Sequence, residues 1–333
     1  MNPAKPRSRS SIAALSAIVL ALAFCASPIA RAQDFPSKTV RLIVLTSPGG
    51  GPDLTARLLM QPMESLLGKP VVVENKAGGG GVAGILDLLN SPADGHTILV
   101  PDASHWAIYP LLTRDAPYDG RRDFAPIGLI WSAPLYLAAQ ASAPFKDVRE
   151  LVALVRAKPG TLNYGAANIG GVVYLLAETF RRSLALEIAP VSYKGGSDTN
   201  KALLSGEVLF GWVGYTSALN FVSSGKLKLL AVSSATRFPL TPDIPTAAEA
   251  ANLPGFDFTA QLGLVARTGT PRPIMDKLST ALLKSLDNPE VKAGHIRLGL
   301  ELTPTTPDKF EAIIRADIEK YAKAIKLAGL RQQ

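Results

Sequence analysis

Short β-branched runs alternate with helical spacing through most of this chain, and that alternation constrains its fold more than any other feature. Residues 40–45, Val-Arg-Leu-Ile-Val-Leu, read as a buried strand. The turn 46–52, Thr-Ser-Pro-Gly-Gly-Gly-Pro, follows it. Residues 53–67 then place Leu54, Leu58, Leu59, Met63, Leu66 and Leu67 at helical intervals, and Gly68 ends the helix. Pro62 falls inside this span and predicts a kink or a break. A strand at 71–74, a glycine loop at 78–81, a helix to about residue 90 and a strand at 97–100 complete one βαβαβ unit. Such alternation predicts parallel sheet covered by helices.

A second unit follows. Residues 127–139 are a long apolar stretch interrupted by Pro134, suited to a chain crossing between domains. Helices at 147–157 and 174–183 and strands at 163–165, 187–193, 208–213 and 227–232 build a second α/β lobe. Residues 256–266 read as a strand returning to the first, and the tail is helical with breaks at 288–289 and 303–307. The expected fold is α/β and periplasmic-binding-protein-like: two parallel-sheet lobes joined by two crossing strands, with a cleft between. The predicted division is 33–131 plus 257–333 for domain 1 and 132–256 for domain 2. Ligands in open parallel sheets bind at the carboxyl ends of the strands, and lobes of this kind close by hinging.

The N-terminus carries Lys5, Arg7 and Arg9, an apolar stretch from Ile12 to Ala26, and the small-residue site Ala30-Arg31-Ala32. This reads as a secretory signal over residues 1–32, cleaved to leave a periplasmic protein. The apolar stretch is too short to span a bilayer core of ~30 Å. Cys25 is the single cysteine and lies within the signal, so the mature chain is expected to lack disulfides, thiolate metal sites and a cysteine nucleophile. Removing the leader's four basic residues from the formal +8 leaves +4, scattered without a patch or stripe, which argues against nucleic acid.

The turn at Ser47, Gly49, Gly50, Gly51 and Asp53 is the sharpest local motif. It brings backbone N–H groups and the positive end of a helix to one point, a ready site for a carboxylate or a phosphate. Asp53 reads as the N-cap of that helix. The loop at Ala166, Asn168, Gly170 and Gly171, leading into Tyr174, presents backbone N–H groups from the other lobe. His105 and Trp106 follow the strand at 97–100 and are candidates for the cleft edge; Lys194 and Tyr215 end strands of the second lobe. His96 and His295 read as surface residues, and the three histidines are too far apart in sequence to suggest a metal site. Gly79-x-Gly81-x-x-Gly84, with Asp102 further on, matches the dinucleotide pattern by letters. Its first glycine lies several residues beyond the strand, so no nucleotide cofactor is expected. No nucleophile, base and orienting group assemble, which leaves a binding role.

The run 40–44 with Pro48-Gly49-Gly50-x-x-Asp53-x-x-Ala56-Arg57 resembles the start of the substrate-binding proteins of tripartite tricarboxylate transporters, also called the Bug or TctC family. The resemblance continues through 67–76, Pro92 to Thr97, Pro117-Tyr118-Asp119, 123–127, Tyr193 to Gly196, 225–232, Pro245-Thr246 and Gly269-Thr270-Pro271. It implies a monomeric, non-catalytic receptor without cofactor or metal that closes over a small organic carboxylate and passes it to a two-component membrane permease. The alternative partner is a membrane sensor kinase; an exported enzyme is a further alternative. Departures from the family pattern lie at Gly171-Val172-Val173-Tyr174, Tyr109, Leu209 and Gln261. With Trp106, Trp212 and Tyr215 they suggest a less polar pocket and an apolar or aromatic acid.

Overall fold

The structure is a computed structural model and describes residues 35–167, 171–193, 196–330 and 332. The signal expected at 1–32 and the candidate residues Asn168, Gly170 and Lys194 lie outside the described residues.

The first lobe begins with β1 (Val40–Val44), α1 (Gly51–Leu67), β2 (Val71–Asn75), α2 (Val82–Asn90) and β3 (Thr97–Val100). A π-helical turn (Ser104–Ile108) and the short α3 (Tyr109–Leu112) lead to the long strand β4 (Phe124–Gln140). The second lobe runs α4 (Val148–Ala157), β5 (Asn163–Ala167), α5 (Val172–Ser183), β6 (Ala189–Tyr193), α6 (Gly196–Ser205), β7 (Gly211–Gly214), α7 (Tyr215–Ser223), β8 (Leu227–Val232) and α8 (Ala247–Ala251). The chain returns along β9 (Thr259–Arg267) and ends with α9 (Arg272–Asp287), α10 (Pro289–Arg297), β10 (Glu301–Leu302) and α11 (Pro307–Leu327).

The strand order is β2-β1-β3-β9-β4-β7-β5-β6, with β8 and β10 also paired to β4. Each lobe keeps a parallel core: β1 with β2 and β3 in the first, β5 with β6 and β7 in the second. The crossing strands do not join that pattern. β9 runs antiparallel to β3 and to β4, and β4 runs antiparallel to β7 and β8. The lobes are therefore mixed sheets, not purely parallel ones, because a chain that crosses and returns must reverse direction. β4 serves both: Phe124 to Pro134 pair with β9, and Leu135 to Gln140 with β7 and β8.

Burial explains several local departures from the sequence expectations. α1 is one continuous helix through Pro62, held along its length by Ala56, Leu59, Met63 and Leu67, all in the core. Pro62 removes one N–H donor, but the apolar face on either side of it still packs as a unit. His96 and His295 are buried, not on the surface. His96 Nε2 accepts from Ser37 N at 3.1 Å and its ring meets Phe35 edge-on, with centroids 5.0 Å apart. His295 Nδ1 lies 2.8 Å from Val291 O, one turn back in α10, and burial pushes the imidazole below its usual pKa. Both rings are held by partners distant from, or periodic with, their own sequence position. The predicted tail breaks fall between α9 and α10 and just before α11.

Candidate functional site

The β1–α1 junction is built from small residues and clamped from beneath. Gly49 has φ +84, a left-handed conformation that strains a residue with a Cβ. Gly50 is the N-cap in extended conformation, and Pro52 occupies the first turn, where its missing N–H costs nothing. Asp53 is thus not the cap expected for it. Its carboxylate lies inside the first turn, 1% exposed, where Oδ2 accepts from Gly49 N at 2.8 Å and Oδ1 from Asn75 Nδ2 at 2.9 Å. Arg57 Nε reaches both oxygens at 3.1 Å. Burial works to raise the Asp53 carboxyl, but Arg57, the Gly49 N–H and Asn75 together hold it below the usual range. Asn75 Nδ2 also donates to Thr46 O at 3.1 Å. The turn is tied at both ends, and its glycine N–H groups and the first-turn N–H groups of α1 lie at the carboxyl edge of the sheet. Thr46 Oγ1 is buried there without a partner.

The π-helical turn after β3 makes three separate attachments from three consecutive residues. Ser104 Oγ accepts from Val172 N, at the start of α5 in the second lobe, at 3.3 Å. His105 Nδ1 lies 2.8 Å from Asp102 Oδ1 and accepts from the Asp102 backbone N–H at 3.3 Å. Burial tends to raise Asp102, but the charge and hydrogen bond of His105, with the Ser104 N–H, hold it low. Trp106 Nε1 donates to Asp317 Oδ2 of α11 at 2.9 Å, and the indole meets Phe310 edge-on. A π-turn, with its extra residue per turn, is a recurrent feature of functional sites.

In the second lobe, α5 starts at Gly171 and α7 at Gly214, each following a strand of the parallel core. Asn200 Nδ2 of α6 donates to Ser217 O at 2.8 Å and ties α6 to the first turn of α7. Thr216 Oγ1 donates to Leu298 O of the first lobe at 2.5 Å. The β1–α1, β3–π-turn, β5–α5 and β7–α7 junctions all occupy the carboxyl ends of parallel strands. The contacts Ser104–Val172 and Thr216–Leu298 bring the two sets together across the lobes.

The predicted residues divide into three groups. Ser47, Gly49, Gly50 and Gly51 occupy the first junction, with Asp53 as its buried clamp. Gly171 and Tyr174 sit in the first turn of α5, opposite the π-turn, and Tyr215 begins α7. Trp106 and Ala166, by contrast, are 0% exposed and belong to the core, and His105 is 6% exposed. Trp212, also 0% exposed, packs against Phe180 and Phe256. The two tryptophans therefore supply no aromatic surface to a solute in this conformation. Sequence reading missed Asn75, Thr46, Ser104, Thr216 and Leu298. Asn75, directly after a β-branched run, is the one that a search for polar residues at strand ends could have found.

No positively charged group among the described residues is built into these junctions except Arg57, which is turned to Asp53. No cluster of three His, Cys, Asp or Glu among the described residues could hold a metal ion. Such an arrangement can bind an anion through N–H donors and helix dipoles.

The profile described as the tripartite tricarboxylate transporter family receptor matches residues 55–330. The protein BugT of Bordetella pertussis is 30% identical over 319 residues, 96% of this chain and 97% of that one. An R. palustris protein solved with adipate superposes with a TM-score of 0.83 at 28% identity, covering 90% of this chain and all of that one. MatC from Rhodopseudomonas palustris, solved with bound malate, gives 0.79 at 30% identity over 87% of this chain and all of that one.

Proposed function

The chain belongs to the tripartite tricarboxylate transporter receptor family, and from that premise we propose that it captures a small organic carboxylate in the cleft between its lobes. It does so outside the cytoplasmic membrane, after removal of the signal at 1–32, and delivers the acid to the membrane components of a transporter. The observation that carries this reading is the clamped glycine turn at 46–51, at the end of β1 beside β3, whose following π-helical turn meets the start of α5.

One carboxylate sits at the N-terminus of α1, held by the N–H groups of the glycine turn and the helix dipole, which together favour a negative charge. The remainder of the acid reaches toward the α5 and α7 starts. Backbone donors with bridging water hold carboxylates without an arginine clamp. Because two solved relatives carry adipate and malate, an aliphatic dicarboxylate is the leading ligand class. The apolar or aromatic alternative loses the support of Trp106 and Trp212, and rests on Tyr215 and the departures at 171–174 and Gln261.

The test is a thermal-shift series on protein refolded from denaturant to strip any carried ligand, with adipate, malate, citrate, benzoate and adipamide. An acid at ~100 times its dissociation constant adds ~2.7 kcal/mol to stability. Stabilisation by adipate or malate but not by adipamide supports the reading, and a preference for benzoate moves it to the aromatic class. No shift from any of the four acids refutes it.

A further inference from the structure

Two of the contacts that join the lobes sit at the start of α7. Gly299 follows Leu298, the C-cap of α10, with φ +68. A Cβ built there would overlap the Tyr215 ring, with Cε1 2.9 Å and Cγ 3.1 Å away and Cδ1 closer still. The Tyr215 ring thus lies directly against the Gly299 backbone, and its other neighbour is Tyr136 of β4, with centroids 5.2 Å apart. One residue on, Thr216 Oγ1 donates to Leu298 O, a carbonyl at the end of α10 that no further helical turn supplies with an N–H donor. At the opposite side of the cleft Ser104 Oγ accepts the Val172 N–H. These groups satisfy one another, so none of the three contacts requires a solute.

We propose that Tyr215 and Thr216, seated on Leu298 and Gly299, and Ser104, seated on Val172, are positioning residues that hold the lobes closed before any solute arrives. The proposal rests on the solute-capture reading for its consequence, since only a binding site between lobes gains from being pre-closed. A receptor whose competent state is fractionally populated binds with an apparent dissociation constant equal to the intrinsic one divided by that fraction. Contacts made between lobes alone raise that fraction and so tighten binding without touching the ligand. Tyr215 therefore acts in capture through the lobe geometry, with its ring committed to Gly299. Gly299 is required because any larger residue displaces that ring and wedges the lobes apart.

The lobe separation can be measured in the absence of ligand, which keeps this test independent of what the cleft binds. Lys69 and Ser224 are exposed, one in each lobe. With Cys25→Ser removing the single native thiol, Lys69→Cys and Ser224→Cys carry nitroxide labels for dipolar distance measurement. The refolded, ligand-free protein is expected to give one dominant short-distance population. Gly299→Ala shifts it to longer distance. Thr216→Val, which keeps the side-chain shape and removes the donor, shifts it partly. Adding Tyr215→Ala to Gly299→Ala removes the overlap but not the left-handed strain at 299, so it separates the wedge from local misfolding: the double variant is expected to retain a single-lobe melting profile like that of Tyr215→Ala alone. Identical distance distributions in wild type, Gly299→Ala and Thr216→Val overturn the proposal, as does a ligand-free wild type that is already predominantly at long distance. Failure of every acid in the thermal-shift series leaves these distances unaffected and refutes only the ligand class.

Discussion

Asp53→Asn is the sharpest probe of the first junction, because the acceptor geometry determines what an amide can and cannot replace. The aspartate offers two oxygens, one to Gly49 N at 2.8 Å and the other to Asn75 Nδ2 at 2.9 Å, with Arg57 bridging both. An asparagine has one oxygen, so its NH2 must face either the Gly49 N–H or the Asn75 amide. Asn75 cannot simply turn over to accept, since its Nδ2 also donates to Thr46 O and its Oδ1 receives Arg57 at 3.3 Å. One buried donor is left facing another donor, at a cost of about 1–3 kcal/mol. Arg57 is about half exposed, so its loss as an ion-pair partner adds little. With about 2 °C of melting temperature per kcal/mol in a chain of this size, a fall of roughly 4 °C is expected by differential scanning fluorimetry. The turn also loses its preorganised donors, and affinity for the best-binding acid should fall about tenfold by calorimetry, equivalent to ~1.4 kcal/mol. The wild-type carboxyl is held below its usual range, so its stabilisation is present above about pH 4 and is lost as the pH falls through its folded value. The gap between the two proteins should close in acid. A melting temperature within 1 °C of wild type with unchanged affinity would show that Asp53 clamps nothing.

Two further variants test the supports of the π-helical turn. At Gly120 a Cβ would meet backbone, with Trp106 Cα at 2.8 Å and C at 2.9 Å, and backbone cannot rotate aside. Gly120→Ala should therefore cost about 1–3 kcal/mol and weaken acid binding through the displaced turn, read by melting temperature and calorimetry together; normal values for both would refute the contact. Asp317 is pushed up to about 6 by burial, against the pull of the Trp106 hydrogen bond and Lys320 and with Asp257 adding to the push. Between its unfolded value and that raised one the folded protein binds the extra proton, so stability falls as the pH rises through the window. Asp317→Asn, whose amide oxygen still accepts from Trp106, should gain on wild type between about pH 4 and pH 6 and hold that gain above it; a melting-temperature difference that does not change with pH would refute this.

The parts of the fold written in local pattern were readable from the residues. Val40 to Val44, the α1 spacing and the Gly49 to Gly51 turn each announce themselves within a few positions, because period and turn chemistry are local properties. Burial is not. Trp106 looked like a cleft residue because it follows a strand end, but Asp317, 211 positions later, draws its indole into the core. His295 looked exposed among charged neighbours, but α10 turns it inward beneath α1, where Gly294 lies within 2.8 Å of the Leu58 side chain were it to carry a Cβ. Pro62 carried a strong local signal for a break, which the packing of Leu59 and Met63 overrode. The antiparallel sense of the crossing strands is likewise a property of the whole path and not of any one segment.

β4 is seventeen residues long and is shared end to end between the two sheets, with β9 bound alongside its first half. No loose linker therefore separates the lobes at this strand, and any opening has to twist a hydrogen-bonded ribbon. A rotation of tens of degrees spread along such a ribbon stays within the ~15–20° scatter that strands show in their dihedrals anyway. A shared strand of this kind spreads a torsion over many residues and ladder bonds, where a loose linker would concentrate it in one or two.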